Sequence, residues 1–404
     1  MLDAIKRHKT PTTILVAGCI SMMLAFGFRN SFGVFIAPLS SELGWGRELL
    51  GLSLAIQNLM WGVSQPIAGY LADRYGSGRV IAVSALIYAI GLFGSSLIFS
   101  ASSAHIFAGL LIGIGLGGTS NAIILSVVAR SAPVERRSLT LGIATAAASG
   151  GQLILVPFAA YFLKAYSVQG CLVLFAMLAF IILMVSPFLS GKPSAPQKNE
   201  AKQTIGEALK EAFTHWSYLF LLAGFFVCGF HVTFIGLHLP GFLIQRGFSV
   251  SIGAWAIALI GAGNIIGAIS AGYLGSFISK SYLLSSIYIS RAVVILLFIY
   301  MPMSTFTIIA FALIMGLLWL STVPLTSGLV GQIFGMRYMA TLFGLVFLYH
   351  QLGAFLGAWL GGYYFDKTGS YDAVWLMSIA LGVFAAAIHW PIKDQPVERL
   401  TAVG

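Results

Sequence analysis

The chain contains few charged residues for its length and few cysteines. Only 8% of its 404 residues are charged, against roughly 25% in soluble domains. Its three cysteines, Cys19, Cys171 and Cys228, fall inside apolar runs and lack the spacing of a disulfide framework or a zinc site. Phosphate-binding loops and nucleophile–base motifs are absent as well. These absences argue against an enzyme and a nucleotide-driven pump, and they predict neither a cofactor nor a metal.

Long apolar runs make up most of the chain. Hydrophobic residues account for 58% of it, and runs of roughly 18 to 25 residues recur from end to end, each long enough to cross a bilayer as a helix. The pattern predicts an all-α membrane protein with twelve spans. We place them at 12–39, 48–72, 79–100, 104–131, 138–164, 168–190, 215–244, 250–278, 281–301, 304–331, 338–365 and 371–392.

The predicted spans divide into two halves of six. The longest and most polar loop, residues 191–214, separates an N-terminal bundle at 1–190 from a C-terminal bundle at 215–404. Within this linker, Ile205, Leu209 and Phe213 recur at helical spacing with charges opposite. This spacing predicts a short helix that lies either on the membrane surface or in solvent.

The basic residues predict the orientation. Sixteen of the 22 Lys and Arg residues lie in the N-terminal tail and every second loop, whereas four lie in the alternate loops. By the positive-inside rule, both termini are expected in the cytoplasm, with the protein in the plasma membrane or a bacterial inner membrane. The net charge of +10 is therefore a topology signal rather than a nucleic-acid surface. No small-residue cleavage site ends a short apolar core near the N-terminus, so we expect the first span to be a retained helix rather than a signal peptide.

Arg29, well inside the first span, is the centre of the predicted site. An arginine in hydrocarbon costs at least about 2.5–3.5 kcal/mol, so such a residue normally faces a watery cavity or a partner. All twelve acidic residues lie outside the spans or at their ends. A positive cavity without a carboxylate favours an anionic solute and argues against a carrier of organic cations. The alternative is that Arg29 is tied to backbone carbonyls or to a neighbouring helix.

Other intramembrane polar groups are candidates for binding or coupling. His231 and His350 could bind solute and carry a coupled proton, or each could be a neutral histidine held by a hydrogen bond. Arg291, in the ninth span, could contact solute or tie two helices together. The further candidates for solute binding are Asn30, Asn121 and Trp319.

A motif follows the second span. It reads Gly69-Tyr-Leu-Ala-Asp73-Arg74-Tyr-Gly-Ser-Gly-Arg79 and resembles the cytoplasmic signature of the major facilitator superfamily, G-x-x-x-D-R-x-G-R-R. A worn copy runs from Gly272 to Lys280, with Ser276 in the place of the aspartate. The resemblance implies two pseudo-symmetric six-helix bundles that alternate access to a central site. It also implies gating roles for Gly69, which would let two helices approach closely, and for Asp73, Arg74, Arg79 and Arg136.

Within that superfamily the chain resembles bacterial relatives of the monocarboxylate and oxalate/formate porters. The likeness lies in Ser31-Phe-Gly-Val-Phe35 and in the segment from 361 to 371. Monocarboxylate porters place a lysine in the first span where Asn30 stands here, and an aspartate and an arginine in the eighth where Asn264 and Ala268 stand. The usual proton-handling ion pair is therefore missing, and the family's substrate does not carry over.

Together these features predict a monomeric secondary transporter of a small organic anion, a mono- or dicarboxylate. Proton symport is one coupling mode, and uniport and antiport stay open, as does the direction of transport. One alternative is an efflux porter for drugs or metabolites with the same fold. The other is a transport-inactive sensor or scaffold.

Overall fold

The structure of the protein is a computed structural model. It describes residues 10–97, 100–119, 121–131, 137–190, 204–335 and 338–397. Throughout this part of the chain the regular elements are helices. The first six spanning helices are α1 (Pro11–Leu43), α2 (Arg47–Tyr75), α3 (Ser77–Ser96), α4 (Ala101–Ala104, His105–Leu111, Ile112–Thr119 and Asn121–Ser131), α5 (Arg137–Ala165) and α6 (Val168–Val185). The next six are α7 (Trp216–Gln245), α8 (Val250–Leu274), α9 (Lys280–Tyr300), α10 (Thr305–Leu318 and Thr322–Phe334), α11 (Met339–Thr368) and α12 (Asp372–His389).

The helices reproduce the twelve predicted spans. Across the described ranges, 11 helical segments are long and apolar enough to cross a membrane, and α2 is the remaining one. Helix α2 is less apolar because it carries polar side chains that are buried against α4. Gln57 Nε2 donates to the Ala108 carbonyl at 2.8 Å, and Ser64 Oγ donates to the Gly113 carbonyl at 3.4 Å. The all-α, twelve-helix prediction is confirmed.

The chain forms two compact units. The first unit contains residues 1–194 together with 234–261 and 358–369, and the second contains 195–233, 262–357 and 370–404. The first unit therefore includes the end of α7, the beginning of α8 and the end of α11. The expected boundaries at 190 and 214 stay a prediction.

Helices α1 and α5 pack closely in the first unit because glycines bring their backbones together. A Cβ on Gly151 of α5 would overlap the backbone of Met23 in α1, and a Cβ on Gly27 of α1 would meet the Gly151 carbonyl at 2.9 Å. Small residues of this kind are the usual means of close helix approach in membranes. The contact fixes the register of α1 against α5 at Gly27, two residues before Arg29.

A carboxylate caps the beginning of α2. The backbone N–H groups of Arg47 and Glu48 donate to Asp366 Oδ1 and Oδ2, at 2.9 and 2.6 Å. The N-cap residue Gly46 offers no side chain of its own, so the end of α11 supplies the acceptor and the negative charge that a helix N-terminus favours. Trp359 Nε1 adds a hydrogen bond to Glu48 Oε1 at 3.2 Å.

The predicted linker helix is present at Ile205–Phe213. It begins with a capping box, in which Glu207 Oε2 accepts from Thr204 N at 2.7 Å. The hydrogen bonds to the Thr204 backbone and side chain lower the pKa of the Glu207 carboxyl. Ala208 and Ala212 are buried, whereas Ile205 is exposed. The part of the linker at 191–203 lies outside the described residues.

The α1–α5 contact yields a stability prediction. We expect Gly151→Ala to lower the Tm of the detergent-solubilised protein by several degrees, because the new methyl group must displace the Met23 backbone, and overpacking costs about 1–3 kcal/mol. Gly150→Ala is the matched control, since no atom of the described residues lies within 4 Å of a Cβ there. Scanning fluorimetry of the two variants measures the effect. An equal Tm in both would contradict the close approach.

Candidate functional site

Arg29 lies in the middle of α1, and neutral groups of the first unit hold its guanidinium. Nη2 donates to Asn58 Oδ1 of α2 at 2.5 Å, and Nη1 donates to Asn30 Oδ1 at 3.2 Å. The guanidinium carbon stands 5.2 Å from the centre of the Trp61 ring. The buried Nε has no hydrogen-bond partner among the described residues. Within the described ranges, Arg29 therefore has no acidic partner and has one unused donor.

The two residues that hold Arg29 are themselves fixed. Asn58 Nδ2 donates to the Leu54 carbonyl at 2.8 Å, which turns its amide oxygen toward Arg29. Phe26 packs edge-on against Trp61 at 5.7 Å between ring centres. The guanidinium plane is thus set by side chains of α1 and α2 together.

A chain of amide side chains leads from Arg29 to α8. Asn30 Nδ2 donates to Gln152 Oε1 of α5 at 3.2 Å, and Gln152 Nε2 donates to the Ile257 carbonyl of α8 at 2.6 Å. Gly261 lies beside Gln152, where a Cβ would come within 3.2 Å of its side chain. Helix α5 and the part of α8 that lies in the first unit are therefore connected to the arginine through two amides.

The two predicted histidines lie in the second unit and are buried. His231 Nε2 is 2.7 Å from the Ser378 carbonyl and donates to it, while Nδ1 has no partner among the described residues. His350 Nδ1 is 3.4 Å from Gln351 Oε1, and its ring stacks on Phe347 with centres 5.5 Å apart. His231 is therefore held by a short hydrogen bond to backbone, whereas His350 is held mainly by ring packing.

Arg291 is fully buried and binds backbone carbonyls where α10 is interrupted. Nε and Nη2 donate to the Leu318 carbonyl at 3.1 and 2.6 Å, and Nη2 also donates to the Trp319 carbonyl. On the other side of the break, Leu320 N donates to Asn264 Oδ1 at 2.9 Å. Two side chains thus satisfy the groups that the break frees, as a membrane interior requires. The Trp319 side chain is buried at the same place.

The predicted gate residues are described only in part. Arg74 and Arg79 are exposed, and Arg74 Nη1 contacts the Tyr70 hydroxyl at 3.3 Å within its own helix. No described atom lies within 4 Å of a Cβ on Gly69, so the close helix approach expected there is not seen in this conformation. Arg136 and the side chains of Asp73 and Asn121 lie outside the described residues.

Four side chains to which the sequence pattern assigns no role contact the predicted site or the ends of helices. Asn58 and Trp61 complete the surroundings of Arg29, and Asp366 caps α2. Asp394, after α12, accepts from Ser279 Oγ at 2.7 Å and from Lys280 N at 3.1 Å. Asp394 therefore places a carboxylate beside the worn motif that lacks one. A polar Gln57-Asn58 pair inside an apolar run was the available signal for the first of these.

The family is decided by comparison with known proteins. The model of the Major Facilitator Superfamily matches residues 18–358. The chain belongs to the Major Facilitator Superfamily. It is 26% identical over 395 residues to "Uncharacterized MFS-type transporter YcxA" of Bacillus subtilis, covering 93% of each chain. It is 21% identical to "Monocarboxylate transporter 13" of Rattus norvegicus, over 90% of this chain and 85% of that protein.

A solved structure agrees with the superfamily fold. The crystal structure of a D-xylose-proton symporter matches with a TM-score of 0.76 over 96% of this chain and 99% of that one, at 15% identity. At that identity the likeness shows the fold alone. The superfamily prediction is confirmed, and the protein is a multi-pass membrane transporter of that superfamily.

The contacts of Arg291 yield a prediction that separates its two candidate roles. We expect Arg291→Lys to lower the Tm by several degrees, because one ammonium cannot bind both carbonyls as the planar fork does. Lys210→Gln, which removes an exposed cation of the linker helix, serves as the control and is expected to keep the Tm. A variant that keeps the wild-type Tm but binds solute more weakly would instead assign Arg291 to the solute.

Proposed function

We propose that this superfamily member is a secondary transporter of a small organic anion, a mono- or dicarboxylate, that works by alternating access. The observation that carries the proposal is Arg29, whose guanidinium has, among the described residues, only amide oxygens as hydrogen-bond partners and an unused Nε. An arginine fork binds a carboxylate through two parallel hydrogen bonds, and these are stronger than bonds to a neutral oxygen. A carboxylate can therefore replace the amide oxygens of Asn30 and Asn58.

The surroundings of Arg29 suit such an exchange. The Trp61 ring stays against the guanidinium and supports its plane while the partners change. Asn58 also keeps its bond to the Leu54 carbonyl, so its side chain remains ordered when its oxygen is released. The cost of displacing two neutral acceptors is smaller than the cost of breaking an ion pair in a low-dielectric site.

The amide chain offers a way for binding to reach α8. When a carboxylate takes Nη1, Asn30 loses its hold on Arg29 and its bond to Gln152 is free to change. Gln152 in turn bonds to the Ile257 carbonyl, so the anion biases the contact between α5 and α8. A ligand shifts a conformational equilibrium only through such differential contacts.

Coupling and placement complete the proposal. We assign the coupled proton to His231 or His350, since imidazole is the group that changes charge near neutral pH. We place the protein in the plasma membrane, or in the inner membrane of a bacterium, with both termini in the cytoplasm, following the bias of its basic residues. We propose a monomer because each six-helix bundle is self-contained.

The first test removes the charge of Arg29. We expect Arg29→Gln to weaken uptake of a labelled carboxylate panel into proteoliposomes by roughly 10- to 100-fold in kcat/KM, since hydrogen bonds to charged groups contribute about 1.5–3 kcal/mol. Arg29→Lys keeps the charge without the fork, and we expect its kcat/KM to lie between those of the wild type and Arg29→Gln. Lys367→Gln, at the end of α11, is the control for loss of a cation. Wild-type uptake by Arg29→Gln would show that Arg29 is structural.

The second test addresses coupling. We expect an inward proton gradient to stimulate uptake by the wild type, and His231→Gln or His350→Gln to abolish the stimulation while leaving solute exchange intact. His105→Gln in α4 is the control histidine, because its ring bonds to Ser53 in the first unit. If the gradient has no effect on the wild type, proton coupling is wrong, and an exchanger or a facilitator remains.

A further inference from the structure

A groove lies between α5 and the beginning of α8, both within the first unit. It has a volume of about 350 Å³. Its walls are lined by Pro157, Phe158, Tyr161 and Lys164 of α5 and by Ala254 and Trp255 of α8. The groove is distinct from the Arg29 site, which lies deeper between α1 and α2.

The lining has the chemistry of an amphipathic ligand's site. Tyr161 and Trp255 are 74% and 54% exposed, and Phe158 adds a third aromatic ring, so most of the surface is apolar and open to the bilayer. Lys164 is the one charged residue of the lining, and it makes no hydrogen bond or ion pair with any residue that the structure describes. A ligand that complements both the apolar surface and the Lys164 ammonium has an apolar chain and a negative group.

The groove lies at the depth where lipid headgroups begin. Lys164 is in the last turn of α5, and Ser251 of the lining is in the first turn of α8. Exposed tyrosine and tryptophan are typical of the membrane interface, and lysine near a helix end extends toward the headgroups. The charged end of the groove therefore meets the phosphate layer, and the aromatic end meets the acyl chains.

We propose that this groove is a binding site for an anionic phospholipid, with the phosphate at Lys164 and an acyl chain between Phe158 and Trp255. The occupant comes from the leaflet on the side opposite the termini. Charge complementarity selects an anionic lipid over a zwitterionic one, because the lysine has no competing acid in the lining.

Lipid in the groove has a direct path to the helix contact described above. Gln152, which bonds to the Ile257 carbonyl, lies 12 residues before Lys164 in α5, roughly 18 Å along the helix axis at 1.5 Å per residue. An acyl chain between α5 and α8 keeps these helices at the separation that the Gln152 bond requires. Bound lipid therefore favours the conformation described here over one in which α5 and α8 part.

The binding itself is measured without transport. The purified protein is titrated in mixed micelles with phosphatidylglycerol or phosphatidylcholine, each brominated on its acyl chains, and tryptophan quenching is recorded. The difference between wild type and Trp255→Phe isolates the Trp255 signal. We expect this signal to be half-quenched at a lower mole fraction of phosphatidylglycerol than of phosphatidylcholine. We expect Lys164→Gln to raise the mole fraction of phosphatidylglycerol needed for half-quenching about fivefold, the factor given by about 1 kcal/mol per basic residue.

Two variants control for charge and position. Lys164→Arg keeps the positive charge and is expected to keep the preference for phosphatidylglycerol. Lys367→Gln removes a lysine elsewhere at the same membrane face and is expected to change nothing. Equal quenching of wild-type Trp255 by the two lipids would overturn the proposal, because the groove would then be a general acyl-chain surface. A preference that survives Lys164→Gln would overturn it as well.

Discussion

The constraint on which this structure depends is an arginine inside an apolar helix without an acid to pair with. The protein meets it with neutral partners: the amide oxygens of Asn58 and Asn30 and the face of Trp61 surround Arg29. Such groups stabilise a buried cation less than a carboxylate does. The site therefore retains positive potential, and in the proposed function a solute carboxylate supplies the negative partner that Arg29 lacks.

Arg291 meets the same problem with backbone acceptors instead of side chains, and its Nη1 also lacks a hydrogen-bond partner among the described residues. Its sequence context, a lone arginine in an apolar run, is similar to that of Arg29, but its Nε and Nη2 are engaged by the carbonyls of Leu318 and Trp319. Those carbonyls are free because α10 is interrupted between Leu318 and Thr322. One arginine thus stabilises an irregular backbone, and the other is left with neutral side-chain partners that a ligand can displace.

Sequence reasoning identified the twelve helices because membrane length and apolar composition are local properties. Arg29 stood out as a candidate because a charge in hydrocarbon is costly, and its role in binding solute stays a prediction. Sequence reasoning assigned no role to Asn58 or Asp394, because partner choice depends on how helices rotate and pack, which distant residues decide. The close packing expected at Gly69 is not seen among the described residues, because a glycine in a motif permits a close helix contact but the conformation decides whether it forms.

The acidic residues complete this logic at the ends of the helices. Helices α2 and α9 both begin without a side-chain cap from their own N-cap residue. Asp366, near the end of α11, serves the first by accepting the N–H groups of Arg47 and Glu48, and Asp394, after α12, serves the second by accepting the N–H of Lys280. Acids used in this way bind helix N-termini, where negative charge is favoured, and they leave the interior without negative charge. The acids are therefore kept out of the spans and used as helix caps at the same time. Because no acid of the described residues lies near Arg29 to neutralise it, the potential there is positive.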